Sequence, residues 1–519
     1  MYDILICNGR IIDGSATPWF YGDIGIKGDR IAFIGKADGV CARRVIDAYG
    51  RVVCPGFIDM HTHSDVMLLA NPTHEPKIMQ GVTTEVIGVD GLSYAPLSSE
   101  NIEMMRRYLC GLNGNPDIEW NWNSVSEYLS RFDRQVATNV VYLVPHNALR
   151  LETIGFVDRE AAADDLKRMQ EICARAMKEG AVGFSTGLDY FPCRYSNIEE
   201  LIAICKTVAE HNGISVWHVR MRDLGLIDAI NEVMQVGEAT RVKMHFSHYA
   251  ASGPENKGMS KQILEIIDRA REKGLDVSFD AYPYIASSTT LLILLPRWVH
   301  EGGPDEILKR LADPEERKKI CQDLQDHQLG WDKIFINLES TSRNRSYIGK
   351  SLLQVAEAAG KDMAEVLCDI LLEEELNAGY VNFVGNEEDM RTIIGHPCHV
   401  SCSDGLLVGE KPNPRGWGTF PRFLSVYCRD LGLFSLEEII RHMSAAPAQR
   451  LGLTDRGLIK VGLAADLVVF DPETIKDTAT FDEPRANPVG VDYVLVNGAI
   501  TVDRGQHTGI LNGRALMKD

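Results

Sequence analysis

Short apolar segments that alternate with helical segments are the feature that most restricts the fold of this chain. Eight β-type segments are separated by longer stretches, several with helical periodicity, such as residues 160–178 and 198–211. Strands that alternate with helices form parallel βαβ units, and eight such units can close into a (β/α)8 barrel of the TIM type, an α/β fold. The predicted strands are residues 56–61, 83–88, 138–145, 180–185, 215–219, 241–247, 276–281 and 399–403.

The two ends of the chain are predicted to form a second, smaller domain. Short β-rich runs separated by turn dipeptides such as Asn-Gly and Gly-Asp occur in both residues 1–54 and residues 455–519. This pattern predicts a small β-sandwich domain built from both chain termini. The barrel then occupies residues 55–454.

The seventh and eighth predicted strands are separated by an unusually long stretch, residues 286–398. It contains predicted helices at residues 314–328 and 351–374. A connection of this length without structure of its own is uncommon in a compact domain. We therefore expect an insertion that lies over the barrel mouth, as a lid or as part of the substrate wall.

The acidic composition restricts the partners of the chain. It carries 73 Asp and Glu against 54 Lys and Arg, a formal net charge of −19. Such a surface repels nucleic-acid phosphates and anionic lipids, so we expect a small-molecule substrate and neither nucleic acid nor membrane as partner. The twelve cysteines include no CxxC pair, and the N-terminal sequence does not have the pattern of a signal peptide. We therefore expect reduced thiols and a cytoplasmic location. A homo-oligomer is compatible with the sequence.

Residue types that bind metals stand where the first two predicted strands end, which is where barrel active sites lie. His61 and His63 end the first strand, and residues i and i+2 of an extended chain point the same way. Asp90 ends the second strand between Gly88 and Gly91. Taken alone, Asp90 is better explained as a turn residue than as a ligand.

The later strands add further candidates. The third ends at His146, a candidate for contact with the substrate, and the fifth carries His218. His245 and His248 on the sixth are three residues apart, so an extended strand turns only one of them into the barrel mouth. Strand-end position favours His248 and leaves His245 as a packed strand residue. Asp404 ends the eighth strand.

Together these residues predict metal-assisted hydrolysis. Nitrogen and oxygen ligands in this mixture suit Zn²⁺, with Mn²⁺, Co²⁺ or Fe²⁺ as alternatives and with one or two ions bound. A bound ion lowers the pKa of its water from about 15.7 to about 7, which makes a nucleophile available at neutral pH. A neighbouring carboxylate can take the proton and pass it to a leaving nitrogen, and we assign that role to Asp404. The predicted reaction is cleavage of an amide C–N bond.

The chain resembles the amidohydrolase superfamily in the motifs at its strand ends. These are HTHSD on the first strand, single histidines on the fifth and sixth, and SDG on the eighth. The chain is most similar to the N-acyl-D-amino-acid deacylases, through segments that include NGRIIDG, CPGFIDMHTHSD, GVTTEVIG, GAVGFSTGL, DAYPYIASST, PRGWGTFPRFLS and AAPAQRLGLTDRGLIKVGLAADLVVFDP. The resemblance covers nearly the whole chain. It implies a (β/α)8 barrel, Asp404 as acid/base, and contact of the substrate carboxylate with Tyr282 and Arg415. The metal ligands that it implies are His61, His63, His218 and His248.

The chain departs from the deacylase pattern at two positions. The family's metal-binding cysteine after the second strand is replaced by Asp90, a harder oxygen ligand that can still bind or bridge metals, so metal preference and number stay open. The family's Ser-His-His-Lys run is replaced by Ser-His-Tyr-Ala at residues 247–250. The lysine that would help to hold a substrate carboxylate is therefore missing here.

Three alternatives to a linear-amide hydrolase stay open at this point. A cyclic amide or imide hydrolase of the dihydroorotase or hydantoinase kind usually has a bridging lysine on the fourth strand, and GAVGFSTGL contains none. A deaminase of the same superfamily does not account for the deacylase-like segments. A catalytically inactive scaffold would have lost the ligands that this chain retains. The acyl group, the side chain and the stereochemistry of the substrate are not determined by the fold.

Overall fold

The computed structural model describes residues 1–221, 225–326, 330–339 and 341–517. Eight parallel strands follow one another around a barrel in chain order. The ring is closed between its first and last strands, where the Met60 N–H donates to the Ser401 carbonyl over 3.4 Å and Thr62 pairs with Gly405. Each predicted strand overlaps an observed one, which confirms the predicted barrel. The strands are Phe57–Asp59, Val82–Ile87, Asn139–Pro145, Gly183–Gly187, Ile214–His218, Lys243–Phe246, Val277–Ala281 and His399–Ser401.

Helices cover the outside of the barrel, and this explains why the strands are buried on both faces. Every residue of Val82–Ile87 and of Asn139–Pro145 is buried, as expected for parallel strands with both faces covered. The covering helices are amphipathic: Ala163–Lys178 buries Met169 together with Ile172 and Cys173, which follow it by three and four residues. The helices before the seventh strand are Asp65–Ala70, Glu75–Ile78, Ser99–Tyr108, Cys110–Asn113, Val125–Ser130, His146–Leu151, Ala163–Lys178, Ile198–Glu210, Leu226–Thr240 and Ser260–Glu272.

The chain termini combine into one hydrogen-bonded sheet of nine strands, which confirms the predicted β-rich domain. The two ends meet where Val52–Pro55 pairs antiparallel with Leu467–Phe470. Buried aliphatic residues from both ends, such as Ile24 and Leu495, form its core. The domain boundaries at residues 54 and 455 stay a prediction. The strands are Tyr2–Ile11, Phe20–Lys27, Arg30–Gly35, Ala42–Asp47, Val52–Pro55, Leu467–Phe470, Val491–Val496, Ala499–Asp503 and Gln506–His507.

The stretch between the seventh and eighth barrel strands is folded. Ser287–Thr290, Gly379–Asn382 and Ile334–Asn337 form a three-stranded antiparallel sheet in that order. The predicted helix at 314–328 is observed as Pro314–Asp326, and residues 327 and 328 lie outside the described residues. The predicted helix at 351–374 is divided in two by Gly360, which has φ 64°. The other helices of this stretch are Pro304–Ala312, Leu352–Ala359, Met363–Glu373 and Glu387–Ile394.

The chain between the eighth barrel strand and the terminal sheet is helical. Arg415–Arg422 is followed directly by the π-helical segment Phe423–Asp430, and then by Leu436–Met443 and Ala445–Leu451. In the part of the chain that the structure describes, no helix combines the length and the apolar character needed to span a bilayer.

Candidate metal centre

The first and eighth barrel strands bring their terminal residues together at one end of the barrel. The Asp404 N–H donates to the His61 carbonyl over 2.8 Å, and the His63 N–H donates to the Gly405 carbonyl over 3.1 Å. These bonds extend the pairing of the two strands beyond their ends. The side chains of His61, His63 and Asp404 are consequently held next to one another, and all three are buried.

Asp90 lies between four histidines at the centre of this end of the barrel. Its Oδ1 is 3.5 Å from Nε2 of His61, and its Oδ2 is 3.6 Å from Nε2 of His63. The same Oδ2 is 3.4 Å from Nδ1 of His218 and 3.5 Å from Nε2 of His248. One carboxylate thus joins two groups of possible ligands, one with the histidines of the first strand and one with those of the fifth and sixth.

The spacing of these atoms fits metal ligands better than hydrogen-bonding partners. Two ligand atoms that each lie about 2.1 Å from a tetrahedral Zn²⁺ are separated by about 3.4 Å. Hydrogen-bonded nitrogen and oxygen atoms are usually about 2.9 Å apart. Among the described residues, both ring nitrogens of His61 and Oδ1 of Asp90 are buried and have no hydrogen-bond partner. A divalent ion would supply the missing partner for these atoms.

Three residues of the centre have left-handed backbones. The φ angles are 53° at Asp90, 33° at His248 and 46° at Asp404. This conformation is unfavourable for residues other than glycine and persists where surrounding contacts enforce it, commonly at functional sites.

Asp404 is placed between the first-strand histidines and an arginine. Its Oδ1 lies 3.4 Å from Nε2 of His63, and its Oδ2 lies 2.9 Å from Nη2 of Arg415. Burial raises the pKa of this carboxyl, but the Arg415 guanidinium and the hydrogen bond from His63 outweigh burial and hold the pKa below its usual range. Asp404 is therefore ionised at neutral pH and able to accept a proton.

Arg415 is fully buried and only partly hydrogen-bonded. Its Nη2 donates to the Ser288 carbonyl over 3.2 Å as well as to Asp404, and its guanidinium carbon lies 4.4 Å from the ring centroid of Tyr282. Within the described residues, Nε and Nη1 of Arg415 have no hydrogen-bond partner. A buried cation with unused donors is suited to bind an anion beside Asp404.

A cavity opens beside His248 at the ends of the sixth and seventh strands. Tyr249, Ala251 and Tyr282 line its barrel side. Its other wall comes from the stretch before the eighth strand and includes Val384 and Met390. The insertion thus contributes one wall of a cavity that reaches a candidate metal ligand.

Comparison with known proteins identifies the family. Residues 44–293 and 353–502, more than half of the chain, match the amidohydrolase family. The chain belongs to that family. A D-aminoacylase from Alcaligenes xylosoxydans xylosoxydans is 36% identical to this amidohydrolase over 518 residues, which cover 100% of this chain and 98% of the relative. An N-acyl-D-glutamate deacylase from the same organism is 35% identical, over 96% of this chain and 93% of the relative.

A solved structure agrees with this assignment. The N-acyl-D-glutamate deacylase from Bordetella bronchiseptica, complexed with zinc and a phosphonate inhibitor that mimics the tetrahedral intermediate, matches this amidohydrolase with a TM-score of 0.85. The two share 33% sequence identity, and the match covers 99% of both chains.

One predicted site residue is not part of the centre in this amidohydrolase. His146 is buried at the start of the helix His146–Leu151, with Nδ1 2.8 Å from Oγ1 of Thr186 and Nε2 2.7 Å from Oε1 of Glu200. Both ring nitrogens are occupied by protein partners, so His146 is not free to contact a substrate in this structure. Its position directly after a barrel strand suggested exposure at the barrel mouth, but the strand passes into a helix that turns the ring into the protein.

Asp280, in the seventh strand, contacts the candidate ligands although its sequence position predicts no role. The structure shows its Oδ1 accepting the His248 N–H over 2.6 Å and its Oδ2 2.9 Å from Nε2 of His245. Its Oδ2 also lies 3.9 Å from Nδ1 of His61. His245 is accordingly a packed strand residue, and Asp280 supports two candidate ligands from behind. The sequence signal for such a role is an acidic residue inside a fully buried strand.

Proposed function

We propose that this amidohydrolase hydrolyses the amide bond of N-acyl-D-amino acids. The observation that carries the proposal is the carboxylate of Asp90, which joins two pairs of histidines at the spacing of metal ligands. Similarity to D-aminoacylase and to N-acyl-D-glutamate deacylase over nearly the whole chain supports the substrate class. We assign metal binding to five residues: His61, His63, Asp90, His218 and His248.

The ligand atoms suit zinc, and two ions could share Asp90. Imidazole nitrogens and a carboxylate form a common Zn²⁺ environment, and a bridging carboxylate is typical of two-metal hydrolases. When bound, the metal would supply an acidified water as the nucleophile at neutral pH. The replacement of a soft thiolate by Asp90 also admits Mn²⁺, Co²⁺ or Fe²⁺.

We assign proton transfer to Asp404. As an ionised carboxylate within 3.4 Å of His63, it lies beside the first group of ligands and can take the proton of the nucleophile. It can then deliver that proton to the nitrogen that leaves, which is the usual role of a positioned acid/base. The ion pair with Arg415 keeps the carboxylate oriented between these two steps.

Arg415 and Tyr282 are proposed to hold the substrate carboxylate. The two unused guanidinium donors of Arg415 can bind a carboxylate, and the stacked Tyr282 ring fixes the guanidinium plane. Among the residues that the structure describes, no lysine or arginine lines the cavity beside His248. The carboxylate of Asp389, which does line it, accepts backbone N–H groups of Gly258 and Ser260.

This distribution of charge favours substrates with one carboxylate and an apolar side chain. A second carboxylate in the cavity beside His248 would lose its hydration without gaining a cation. The apolar part of the cavity lining consists mainly of Tyr249, Ala251, Ile285, Val384, Met390 and Ile393.

A cyclic amide hydrolase is the second candidate, because Asp90 could supply a bridging carboxylate where hydantoinase-like enzymes use a strand lysine. It has weaker support, since the relatives that match over the whole chain are named for acyclic N-acyl substrates.

Turnover of matched substrates tests the proposal. Protein loaded with Zn²⁺ is assayed for amine release from N-acetyl-D-leucine, N-acetyl-L-leucine and N-acetyl-D-glutamate, and for ring opening of 5-isobutylhydantoin. We expect turnover of the D-leucine derivative above the other three, and loss of turnover after chelation. Ring opening as the fastest reaction would favour the cyclic alternative, and metal-independent turnover would contradict the proposed site.

A further inference from the structure

Next to the metal centre, three buried polar side chains connect the first and eighth barrel strands. Lys77, from the short helix Glu75–Ile78, places Nζ 2.7 Å from Oδ2 of Asp59 and 2.5 Å from Oγ of Ser403. The Ser403 hydroxyl donates to the same Oδ2 over 2.6 Å. All three side chains are fully buried. A charged pair at such depth requires hydrogen bonds to satisfy its remaining polar atoms, and here the serine supplies them.

The same side chains hold the backbone around two residues of the site. Oδ1 of Asp59 accepts the Ser403 N–H over 2.8 Å and the His61 N–H over 3.4 Å. The Ser403 hydroxyl oxygen accepts the Gly405 N–H over 3.0 Å. Asp404 therefore lies between two residues whose N–H groups are both bonded to this cluster.

This arrangement explains how Asp404 keeps a left-handed backbone with φ 46°. Such a conformation in a residue other than glycine persists only where its surroundings enforce it. Strand pairing alone would close the barrel through backbone bonds between the first and eighth strands. In addition to these backbone bonds, the side chains of Asp59 and Ser403 bind N–H groups of the turn that carries Asp404.

We infer that Asp59, Lys77 and Ser403 are positioning residues that set the place of the Asp404 carboxylate. They do not touch the substrate, and they act through the backbone of residues 403–405. The inference rests on the proposed role of Asp404 in proton transfer. A displacement of about 1 Å in a reacting group can lower a rate about 100-fold, so a small relaxation of this turn has a measurable effect.

Ser403→Ala tests the inference, because it removes the hydroxyl and leaves the Lys77–Asp59 ion pair in place. Ser401→Ala is the matched control: Ser401 is buried two residues earlier in the chain, and its hydroxyl has no hydrogen-bond partner among the described residues. Both zinc-loaded variants are measured for kcat and KM with N-acetyl-D-leucine, for bound zinc per chain and for thermal unfolding. We expect kcat of Ser403→Ala to fall about 10–100-fold relative to the control, the size typical of lost supporting contacts. KM and zinc content should match the control, and both variants should be fully folded at the assay temperature, although Ser403→Ala should unfold at a lower temperature because it loses buried hydrogen bonds.

Equal kcat in Ser403→Ala and Ser401→Ala, together with an inactive Asp404→Asn, would overturn the inference and leave the proposed function intact. Full activity in Asp404→Asn would instead refute the proposed function. A loss of kcat that is matched by loss of zinc or of folded protein would show a structural role and also overturn the inference. If Ser403→Ala does not fold, Ser403→Cys carries the same comparison, since a thiol of similar volume is only a weak acceptor.

Discussion

Replacing Asp90 by alanine removes a carboxylate that lies against all four histidines of the centre. Its oxygens are 3.4–3.6 Å from the nearest nitrogens of His61, His63, His218 and His248. Each of the two ligand groups has three members, and each loses one of them with this substitution. Two histidines then remain in each group, and among the described residues no other carboxylate belongs to either group.

The expected effect on metal binding is large. Changes to groups that only support a metal ligand typically lower metal affinity about 10–100-fold. Loss of a ligand together with its negative charge should exceed that range, which corresponds to more than about 2.7 kcal/mol at 1.36 kcal/mol per tenfold change. Asp90→Cys restores an anionic ligand and should recover zinc binding, with a shift of preference from Mn²⁺ toward Zn²⁺ because thiolate is the softer donor.

Zinc affinity is measured by competition with a chromophoric chelator, and bound metal is counted by mass spectrometry of the native protein. Asp492→Ala is the control, because Asp492 is a partly buried carboxylate of the terminal sheet that pairs with Arg51. We expect the control to bind zinc as the unmodified protein does. Unchanged zinc affinity in Asp90→Ala, with only a lower unfolding temperature, would show that Asp90 is a turn residue and that the histidines alone form the site.

Three further predictions follow from the same geometry. Asp404→Asn should retain bound zinc but lose about 10²–10⁴-fold in kcat, because an amide cannot carry the proton; steady-state kinetics and metal analysis check this. Lys77→Met should lower the free energy of unfolding by about 3–5 kcal/mol in denaturant titrations, since it leaves the Asp59 carboxylate buried without its cation. Burial lowers the pKa of His63, but hydrogen bonds to Asp404 and Asp90 raise it to about 9 in the metal-free protein. Zinc must displace that proton at neutral pH, so affinity should rise from pH 7 toward pH 9, with proton release detectable by calorimetry in buffers of different ionisation enthalpy. An active Asp404→Asn would contradict the first of these predictions, and an unchanged free energy of unfolding in Lys77→Met would contradict the second. Zinc affinity that does not change from pH 7 to pH 9 would contradict the third.

Much of the barrel was predictable because its pattern is local. Parallel strands that are covered on both faces are largely apolar, and their helices are amphipathic, so each βαβ unit is visible within about 30 residues. The residues at the strand ends follow from the same argument, since carboxyl ends of parallel strands meet on one side. For this reason His61, Asp90, His218 and Asp404 could be placed near one another before any coordinates were known.

The partners of buried polar residues were not predictable in the same way. His146 occupies a strand end as His218 does, and only the fold shows that Thr186 and Glu200 take both its ring nitrogens. Lys77 has the sequence appearance of a surface lysine on a short helix, yet the fold places its ammonium group between Asp59 and Ser403. Ser403 lies 326 positions after Lys77 in the chain.

The sequence by itself thus determined the class of fold, the end of the barrel that carries the candidate site, and the residue types available there, because these depend on periodicity and on spacing within single βαβ units. Tertiary structure alone decided that Asp90 bridges two histidine pairs, that Asp404 is paired with Arg415, and that Asp59 and Asp280 support the site from behind. These contacts join residues that are far apart in the chain. Their distances depend on how the strands close around the barrel, which no local pattern of residues records.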